Sequence, residues 1–203
     1  MAVGKQLAFH IDSAHCAGCK TCQIACKDRA NLEVGQLWRK VTLYEQGGWV
    51  KDGNAWRQNV SAYWISMSCN HCENPLCVEA CPTGAMYKRE SDGIVLVDQE
   101  KCVGCGYCAW SCPYNGPQLN PATGTMSKCD FCLDRLQAGK RPVCVDACPF
   151  QLISYGYTED LDEAGLTGTN WVNGMANPGI TRPTIRIKLS KSAVRSPLGK
   201  GEK

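Results

Sequence analysis

The feature of this sequence that most constrains its fold is a repeated pattern of sixteen cysteines, four in each of four sets. The first and third sets share the spacing C-x2-C-x2-C-x3-C, whereas the second and fourth widen the middle gap to four and eleven residues. A proline follows every set except the first. In chain order the sets are Cys16, Cys19, Cys22 and Cys26; Cys69, Cys72, Cys77 and Cys81; Cys102, Cys105, Cys108 and Cys112; and Cys129, Cys132, Cys144 and Cys148.

These spacings are typical of cubane iron–sulfur sites. A C-x2-C-x2-C loop wraps three thiolates around one cluster, and in the bacterial ferredoxin run the fourth cysteine, followed by proline, serves the other cluster of a pair. The third set matches this run in full and the second matches it with a wider middle gap, while the first set has Lys27 in place of the proline. The sequence therefore predicts four [4Fe–4S] clusters, with iron bound by all sixteen cysteines and no zinc.

Three other uses of cysteine compete with this interpretation. The fourth set alone would suit a zinc ribbon, but tetrahedral zinc usually takes paired C-x2-C knuckles, which the 2-2-3 runs are not. Disulfides are disfavoured because Met1–Lys20 contains no secretory signal peptide. A redox-active thiol site needs only one or two C-x-x-C pairs, fewer than this sequence contains. A zinc-bearing interaction module remains the alternative from a different class, and a brown colour that bleaches on reduction would exclude it.

Charge and hydropathy exclude two further classes. The net charge is only +3 and the basic residues are scattered, which gives no support to nucleic-acid binding. Residues 102–127 contain no charged side chain, yet their prolines and glycines are incompatible with a membrane-spanning helix. We expect them to form an uncharged loop region inside the protein, and we expect the basic tail Ser190–Lys203 to be extended or mobile unless a partner holds it.

Between the cysteine sets the pattern indicates short strands and one-turn helices. Alternating or continuous apolar runs predict five strands, and Asp-Gly turns predict two hairpins, 85–97 and 49–58. The strands are Gln6–Ile11, Ala62–Met67, Ile94–Val97, Gln151–Tyr155 and Thr184–Leu189. Short helices are expected at Cys22–Arg29 and Asn74–Ala80.

The chain resembles the iron–sulfur subunit of the dimethyl sulfoxide reductase family of molybdopterin oxidoreductases. The similarity covers nearly the whole chain, and Gly47–Gln58 is most similar to the dimethyl sulfoxide branch. The motifs that carry it are Ile11-Asp12, the run Cys16–Cys22, Ser68–Pro75, Cys81–Met86 and Lys128–Cys132.

The ferredoxin run and this resemblance together imply an α+β fold of two pseudo-symmetric 2[4Fe–4S] ferredoxin-like units with crossed ligation. We expect an inner unit at residues 59–112, from sets two and three, and an outer unit at 1–58 and 113–203, from sets one and four. The expected ligands are Cys16, Cys19, Cys22 and Cys148 for cluster 1; Cys69, Cys72, Cys77 and Cys112 for cluster 2; Cys102, Cys105, Cys108 and Cys81 for cluster 3; and Cys129, Cys132, Cys144 and Cys26 for cluster 4.

The resemblance also implies a role without catalytic residues. A compact chain of this length has a radius of gyration of roughly 17 Å, so four clusters would lie on the order of 10 Å apart, a spacing suited to electron transfer. The implied partners are a quinol-oxidising membrane anchor and a molybdopterin catalytic subunit that reduces dimethyl sulfoxide or a similar oxide. The implied location is the periplasmic face of the cytoplasmic membrane, reached by co-export with that catalytic subunit. Polysulfide, thiosulfate or tetrathionate reductase and formate dehydrogenase complexes remain alternatives.

Overall fold

The computed structural model describes residues 5–194, and in this range short strands alternate with short helices. One sheet has three strands and the other sheets in the described range have two. The strands are β1 (Leu7–Asp12), β2 (Lys40–Gln46), β3 (Trp49–Asp52), β4 (Ala55–Gln58), β5 (Ser61–Met67), β6 (Met86–Lys88), β7 (Val95–Val97), β8 (Gln118–Asn120), β9 (Thr125–Ser127), β10 (Ile153–Tyr157) and β11 (Arg186–Lys188). The helices are α1 (Thr21–Arg29), α2 (Leu76–Glu79), α3 (Tyr107–Ser111), α4 (Leu133–Gln137), α5 (Val143–Asp146), α6 (Thr158–Glu163), α7 (Pro178–Thr181) and α8 (Lys191–Val194).

The three-stranded sheet joins the beginning and the end of the described chain. β10 runs antiparallel to β1, from Leu7 opposite Tyr157 to Ile11 opposite Ile153, and β11 runs parallel to β1 on its other side. All residues of β1 except the last are buried, as expected for a central strand whose two faces are both covered. The first cysteine set, which follows β1, is thereby brought beside the end of the fourth set, which precedes β10.

The β6–β7 hairpin brings the second and third sets together in the same way. Its strands pair from Met86 opposite Val97, and Gly93 supplies a φ of 70° in the connecting turn. In both strand pairs a cysteine lies five residues from the end of the ladder: Cys81 before Met86, Cys102 after Val97, Cys148 before Ile153 and Cys16 after Ile11.

Cysteines take part in both groups of buried apolar side chains. The larger core packs residues of β1, β5, β10 and β11 against Cys22, Cys129 and Cys144. The smaller core packs β6, β7 and β9 against Cys77 and Cys108. These five cysteine side chains are therefore part of the hydrophobic interior.

Most of the strands and helices predicted from the sequence are confirmed. The five predicted strands coincide with β1, β5, β7, β10 and β11 to within two residues at every end, and β6–β7 and β3–β4 are the two predicted hairpins. Helix α1 begins one residue before its predicted start, and α2 is shorter than predicted. The sequence analysis missed β2. This strand pairs with β5 along seven residues and so joins the segment before residue 58 to the segment after it.

One prediction is wrong, and a second is wrong for the part of it that the structure describes. The uncharged stretch 102–127 contains α3, β8 and β9, and it reaches the surface, since Val103 and Trp110 are 68% and 78% exposed. The absence of charged residues does not imply burial here, because apolar side chains of this stretch face the solvent. In the basic tail, Lys191–Val194 form α8 rather than an extended segment. Residues 195–203 of that predicted tail lie outside the described residues.

The loop between Cys16 and Cys22 packs closely against β5. Gly18 has a φ of 71°, and a Cβ atom added there would overlap the indole ring of Trp64. Lys20, with a φ of 61°, holds its ammonium group 5.9 Å from the centre of the same ring. Two left-handed residues thus shape the loop, and Trp64 fixes it to the sheet.

We predict that Gly18→Ala destabilises the iron-loaded protein more than Gly35→Ala does. Both glycines have positive φ, which costs roughly 1–2 kcal/mol for alanine, but nothing lies within 4 Å of the Cβ position at Gly35. The overlap with Trp64 should add about 1–3 kcal/mol. Thermal unfolding of the two variants measures the difference, and equal midpoints would contradict this account.

Candidate metal centres

The structure brings the sixteen cysteines into four mixed groups, each with three cysteines of one set and the last cysteine of another. Their thiols are close enough to act on one another electrostatically within each group. Group one is Cys16, Cys19, Cys22 and Cys148; group two is Cys69, Cys72, Cys77 and Cys112; group three is Cys102, Cys105, Cys108 and Cys81; group four is Cys129, Cys132, Cys144 and Cys26. All sixteen are free cysteines.

Neighbouring groups are linked by proximity of their cysteines or of the helices that carry them. Cys144 of group four acts electrostatically on Cys22 of group one, and Cys69 of group two acts on Cys129 of group four. Groups two and three are joined through the contact between α2 and α3. The order is therefore one, four, two, three, and each terminal group contains an exposed cysteine, Cys19 or Cys105.

Each cysteine loop is built on the same local geometry. The third cysteine of every set is the second residue of a short helix, namely α1, α2, α3 or α5. The residue before the second cysteine always has positive φ, which turns successive N–H groups toward the concave side of the loop. Those residues and their φ angles are Gly18 (71°), His71 (43°), Gly104 (68°) and Phe131 (59°).

Backbone N–H groups donate to the sulfur atoms of the last cysteine in three sets. The N–H of Met86 lies 3.3 Å from Cys81 Sγ, and that of Gly116 lies 3.4 Å from Cys112 Sγ. The third such bond joins Leu152 N and Cys148 Sγ at 3.3 Å. These are the three sets that end in Cys-Pro. Such bonds stabilise a thiolate and raise the reduction potential of a cluster that it binds.

The first set lacks the proline, and a longer helix positions its last cysteine instead. Helix α1 continues through Cys26 and Lys27 to Arg29, so the helix itself directs Cys26 toward Cys132 and Cys144. Arg29 then forms a salt bridge with Asp130 at 2.8 Å and another with Asp134, tying α1 to the fourth set. Asp130 Oδ1 also accepts a hydrogen bond from Cys132 N–H at 2.8 Å, so this aspartate orders its own loop as well as pairing with Arg29.

Burial raises the pKa of most of these thiols and so favours their protonated form. It raises the pKa of Cys26, Cys72 and Cys77 to about 12, and that of Cys108 and Cys132 to about 11. Metal ions bind the thiolate form, so iron must displace these protons. Once bound, the metal offsets the cost of burying negative sulfur atoms.

The residues fit a cubane cluster. Cys16, Cys19, Cys22 and Cys148 line one cavity, whose other walls include Ile11 and Val41. Thiolates alone in a largely apolar setting are the donor set of Fe–S clusters. Within residues 5–194 no three His, Cys, Asp or Glu side chains lie close enough together to hold a single metal ion. A cubane spreads its four thiolates over four irons, so they need not converge on one point.

The histidines take no part in these groups. His71 is packed in the interior, where burial lowers its pKa well below the usual range and its Nδ1 accepts a hydrogen bond from Val95 N–H at 3.0 Å. His10 is also buried, and His15 is exposed beside Asp12. The sequence analysis missed two buried cations near the cysteines, Arg39 and Lys128. A basic residue gives no local signal of burial, so no pattern would have found them.

The fold and these centres define a mixed α/β iron–sulfur protein of the ferredoxin-like class. Residues 60–158 match a family described as a 4Fe-4S dicluster domain. Sixteen cysteines are the number that four [4Fe–4S] clusters need at four thiolates each.

The relatives of the protein make the assignment more specific. It is 50% identical to the B subunit of anaerobic dimethyl sulfoxide reductase from Shigella flexneri over 156 residues, 77% of this sequence and 76% of that protein. It is 40% identical to the B subunit of the same reductase from Haemophilus influenzae over 190 residues, 93% and 92% of the two sequences. It is 40% identical to the thiosulfate reductase electron transfer subunit of Salmonella typhi over 164 residues, 79% and 78%.

The chain belongs to the family of iron–sulfur subunits that includes the B subunit of anaerobic dimethyl sulfoxide reductase. It is an electron-transfer subunit and not the catalytic subunit of such a complex. In residues 5–194 the structure has no helix that is both long and apolar enough to cross a membrane.

We predict about 16 iron and about 16 sulfide per chain after anaerobic purification, because four cubanes contain four of each. The protein should be brown, and its broad visible absorbance should bleach with dithionite. Metal analysis with acid-labile sulfide determination checks the number. Stoichiometric zinc, or about half the expected iron after correction for loss, would rule out four clusters.

Proposed function

We propose that this chain conducts electrons from a quinol-oxidising membrane anchor to a molybdopterin subunit that reduces dimethyl sulfoxide or a similar S- or N-oxide. The observation that carries the proposal is the continuous order of the four cysteine groups, with exposed Cys19 at one end and exposed Cys105 at the other. Each [4Fe–4S] cluster exchanges one electron, so a line of four gives a path through the chain.

Exposed apolar side chains surround both ends of this line. Near group three, Val103, Tyr107 and Trp110 are exposed, and near group one, Ile24 and Phe150 are exposed. Exposed aromatic and aliphatic side chains next to an electron entry or exit point are suited to contact with another subunit. This placement supports two different partners, one at each end.

We further propose that the four mixed groups are the four ligand sets, so that ligation is crossed between sets. In this scheme Cys148 completes the cluster of Cys16, Cys19 and Cys22. Cys26, Cys81 and Cys112 complete the other three in the same manner. The support is the proximity of each of these last cysteines to the three cysteines of another set.

Two ferredoxin-like units account for this arrangement. The inner unit, residues 59–112, contains β6, β7, α2 and α3. The outer unit, residues 1–58 and 113–203, contains β1, β10, α1 and α5. The matching five-residue offsets between strand ends and cysteines, and the contacts of α1 with α5 and of α2 with α3, support a pseudo-symmetric relation between the units. The β2–β5 pair crosses residue 58, so β5 packs with the outer unit.

The location we propose is peripheral, at the periplasmic face of the cytoplasmic membrane, with export in the folded state alongside the catalytic subunit. Dimethyl sulfoxide is favoured as substrate because relatives named for its reductase reach 50% identity, above the 40% of the thiosulfate and tetrathionate reductase subunits. The same role in a polysulfide, thiosulfate, tetrathionate or formate complex is the second candidate.

Paired ligand substitutions distinguish crossed from set-by-set ligation. With crossed ligation, Cys19→Ser with Cys148→Ser removes two ligands of one cluster and should leave about 12 irons, whereas Cys19→Ser with Cys26→Ser should damage two clusters and leave about 8. Ligation set by set gives the opposite order. Iron analysis and EPR spin counts measure the result, and Val103→Ala, an exposed change in a cysteine loop, is the control that should keep all four clusters.

Purification from membranes under gentle solubilisation tests the partners. We expect the chain to copurify with a molybdopterin subunit and a multispan anchor, and we expect the complex to oxidise a quinol with dimethyl sulfoxide. The purified chain alone should reduce dyes but no sulfoxide, because it supplies no molybdenum site. Sulfoxide turnover by the chain without molybdenum would refute the proposal, and turnover of thiosulfate or tetrathionate alone would favour the second candidate.

A further inference from the structure

Arg39 is the largest side chain among those that are almost fully buried in the described residues, with 1% of its surface exposed. It immediately precedes β2, and its guanidinium lies 4.8 Å from the centre of the Phe9 ring. Nη1 donates to the carbonyl and hydroxyl oxygens of Ser66 at 3.2 and 3.1 Å, and Nη2 donates to the Ser68 hydroxyl at 3.0 Å. All of these hydrogen-bond acceptors are uncharged.

The groups that become negative near Arg39 on binding iron are cysteines of two different groups. Cys22 belongs to group one, and Cys26, Cys129 and Cys144 belong to group four. None of the salt bridges formed within residues 5–194 includes Arg39. Arginine keeps its positive charge in proteins even when buried. Its hydrogen-bond partner Ser66 lies 3.3 Å from Cys22 Sγ, and the Phe9 ring beneath the guanidinium packs in one core with Cys129 and Cys144. The guanidinium is thus a fixed positive charge close to cysteines of groups one and four.

We propose that Arg39 raises the reduction potentials of the two clusters held by groups one and four. The inference rests on the proposed function as a four-cluster electron conductor. It does not depend on which ligation scheme is correct, because Cys22 and Cys144 belong to different clusters in either scheme.

The physical reason is the charge that accompanies reduction. A cubane with four thiolates carries about −2 when oxidised, and the added electron takes it to about −3. A fixed cation in a low-dielectric interior stabilises the more negative form, so the potential rises. Without that cation, repulsion between two neighbouring anionic clusters would make reduction of the second one harder.

Ser66 extends the effect to one ligand directly. Its hydroxyl accepts a hydrogen bond from Arg39 and lies 3.3 Å from Cys22 Sγ, which leaves its own proton to donate to that sulfur atom. The pairing of β2 with β5 sets this geometry, because Val41 lies opposite Ser66 in the ladder. Arg39 therefore acts on Cys22 both through space and through a shared hydroxyl.

The test is a potentiometric titration followed by EPR on the anaerobically purified chain, with dithionite and dye mediators supplying the electrons. In Arg39→Met, two of the four midpoint potentials should fall by at least the equivalent of a tenfold change in the one-electron equilibrium, about 59 mV. Arg39→Lys keeps the charge and should leave all four near their original values. Lys40→Met removes a neighbouring but exposed charge and should also leave them unchanged.

Iron content is measured first, which separates this proposal from the proposed function. Fewer than four clusters in the unmodified chain would refute the proposed function, whereas four clusters with unchanged potentials in Arg39→Met would refute only the role of Arg39. A fall of all four potentials, or an equal fall in Lys40→Met, would also overturn it. If Arg39→Met loses iron, the Arg39→Lys variant decides between charge and shape. Retained iron in Arg39→Lys, with all four midpoint potentials near their original values, supports the charge role. Loss of iron in Arg39→Lys shows that the shape of the arginine side chain, not its charge, is required.

A second buried cation provides an internal comparison. Lys128 is 3% exposed, donates to the carbonyl oxygens of Val95 and Cys129, and acts electrostatically on Cys77 and Cys112 of group two. Lys128→Met should therefore lower a midpoint potential that Arg39→Met leaves unchanged. If both variants moved the same two potentials only, the effect would not be local and the assignment of Arg39 to groups one and four would be wrong.

Discussion

The burial of thiolates around iron is the constraint on which the rest of this structure depends. Cysteine side chains fill positions in both cores that aliphatic residues occupy in other small proteins. Free thiols there keep their protons, since burial raises the pKa of Cys26 and Cys77 to about 12. Iron exchanges those protons for strong bonds, so metal binding and folding draw on the same free energy.

The cysteine spacing predicted much of this fold because ligation imposes local geometry. Three thiolates within seven residues require a tight loop, and such a loop needs left-handed residues such as Gly18 and Gly104. The strands β1, β6, β7 and β10 that flank the loops were also recognisable from short apolar runs and an Asp-Gly turn. Local sequence was sufficient wherever a local constraint decided the conformation.

Long-range features of the fold could not be predicted from the sequence, for a physical reason. β2 has mixed polarity and becomes a strand because β5 offers it a partner, which no window of sequence contains. The burial of Arg39 is likewise invisible, since its counter-charges are thiolates and clusters from distant segments rather than a nearby carboxylate. The uncharged stretch 102–127 was wrongly predicted to lie inside the protein. Its exposed apolar side chains suit contact with a protein partner rather than with the chain's own core.

Charge placement explains how one small chain tolerates several anionic cofactors. Four oxidised cubanes would change the formal charge of +3 to roughly −5, and surface basic residues alone would be screened by solvent. Arg39 and Lys128 are instead buried near cysteines of groups one, four and two, where a single charge acts at low dielectric. Arg29, paired with Asp130 and Asp134, ties two segments together but is partly neutralised by those carboxylates. Buried cations without carboxylate partners are therefore the ones able to offset charge added by an electron.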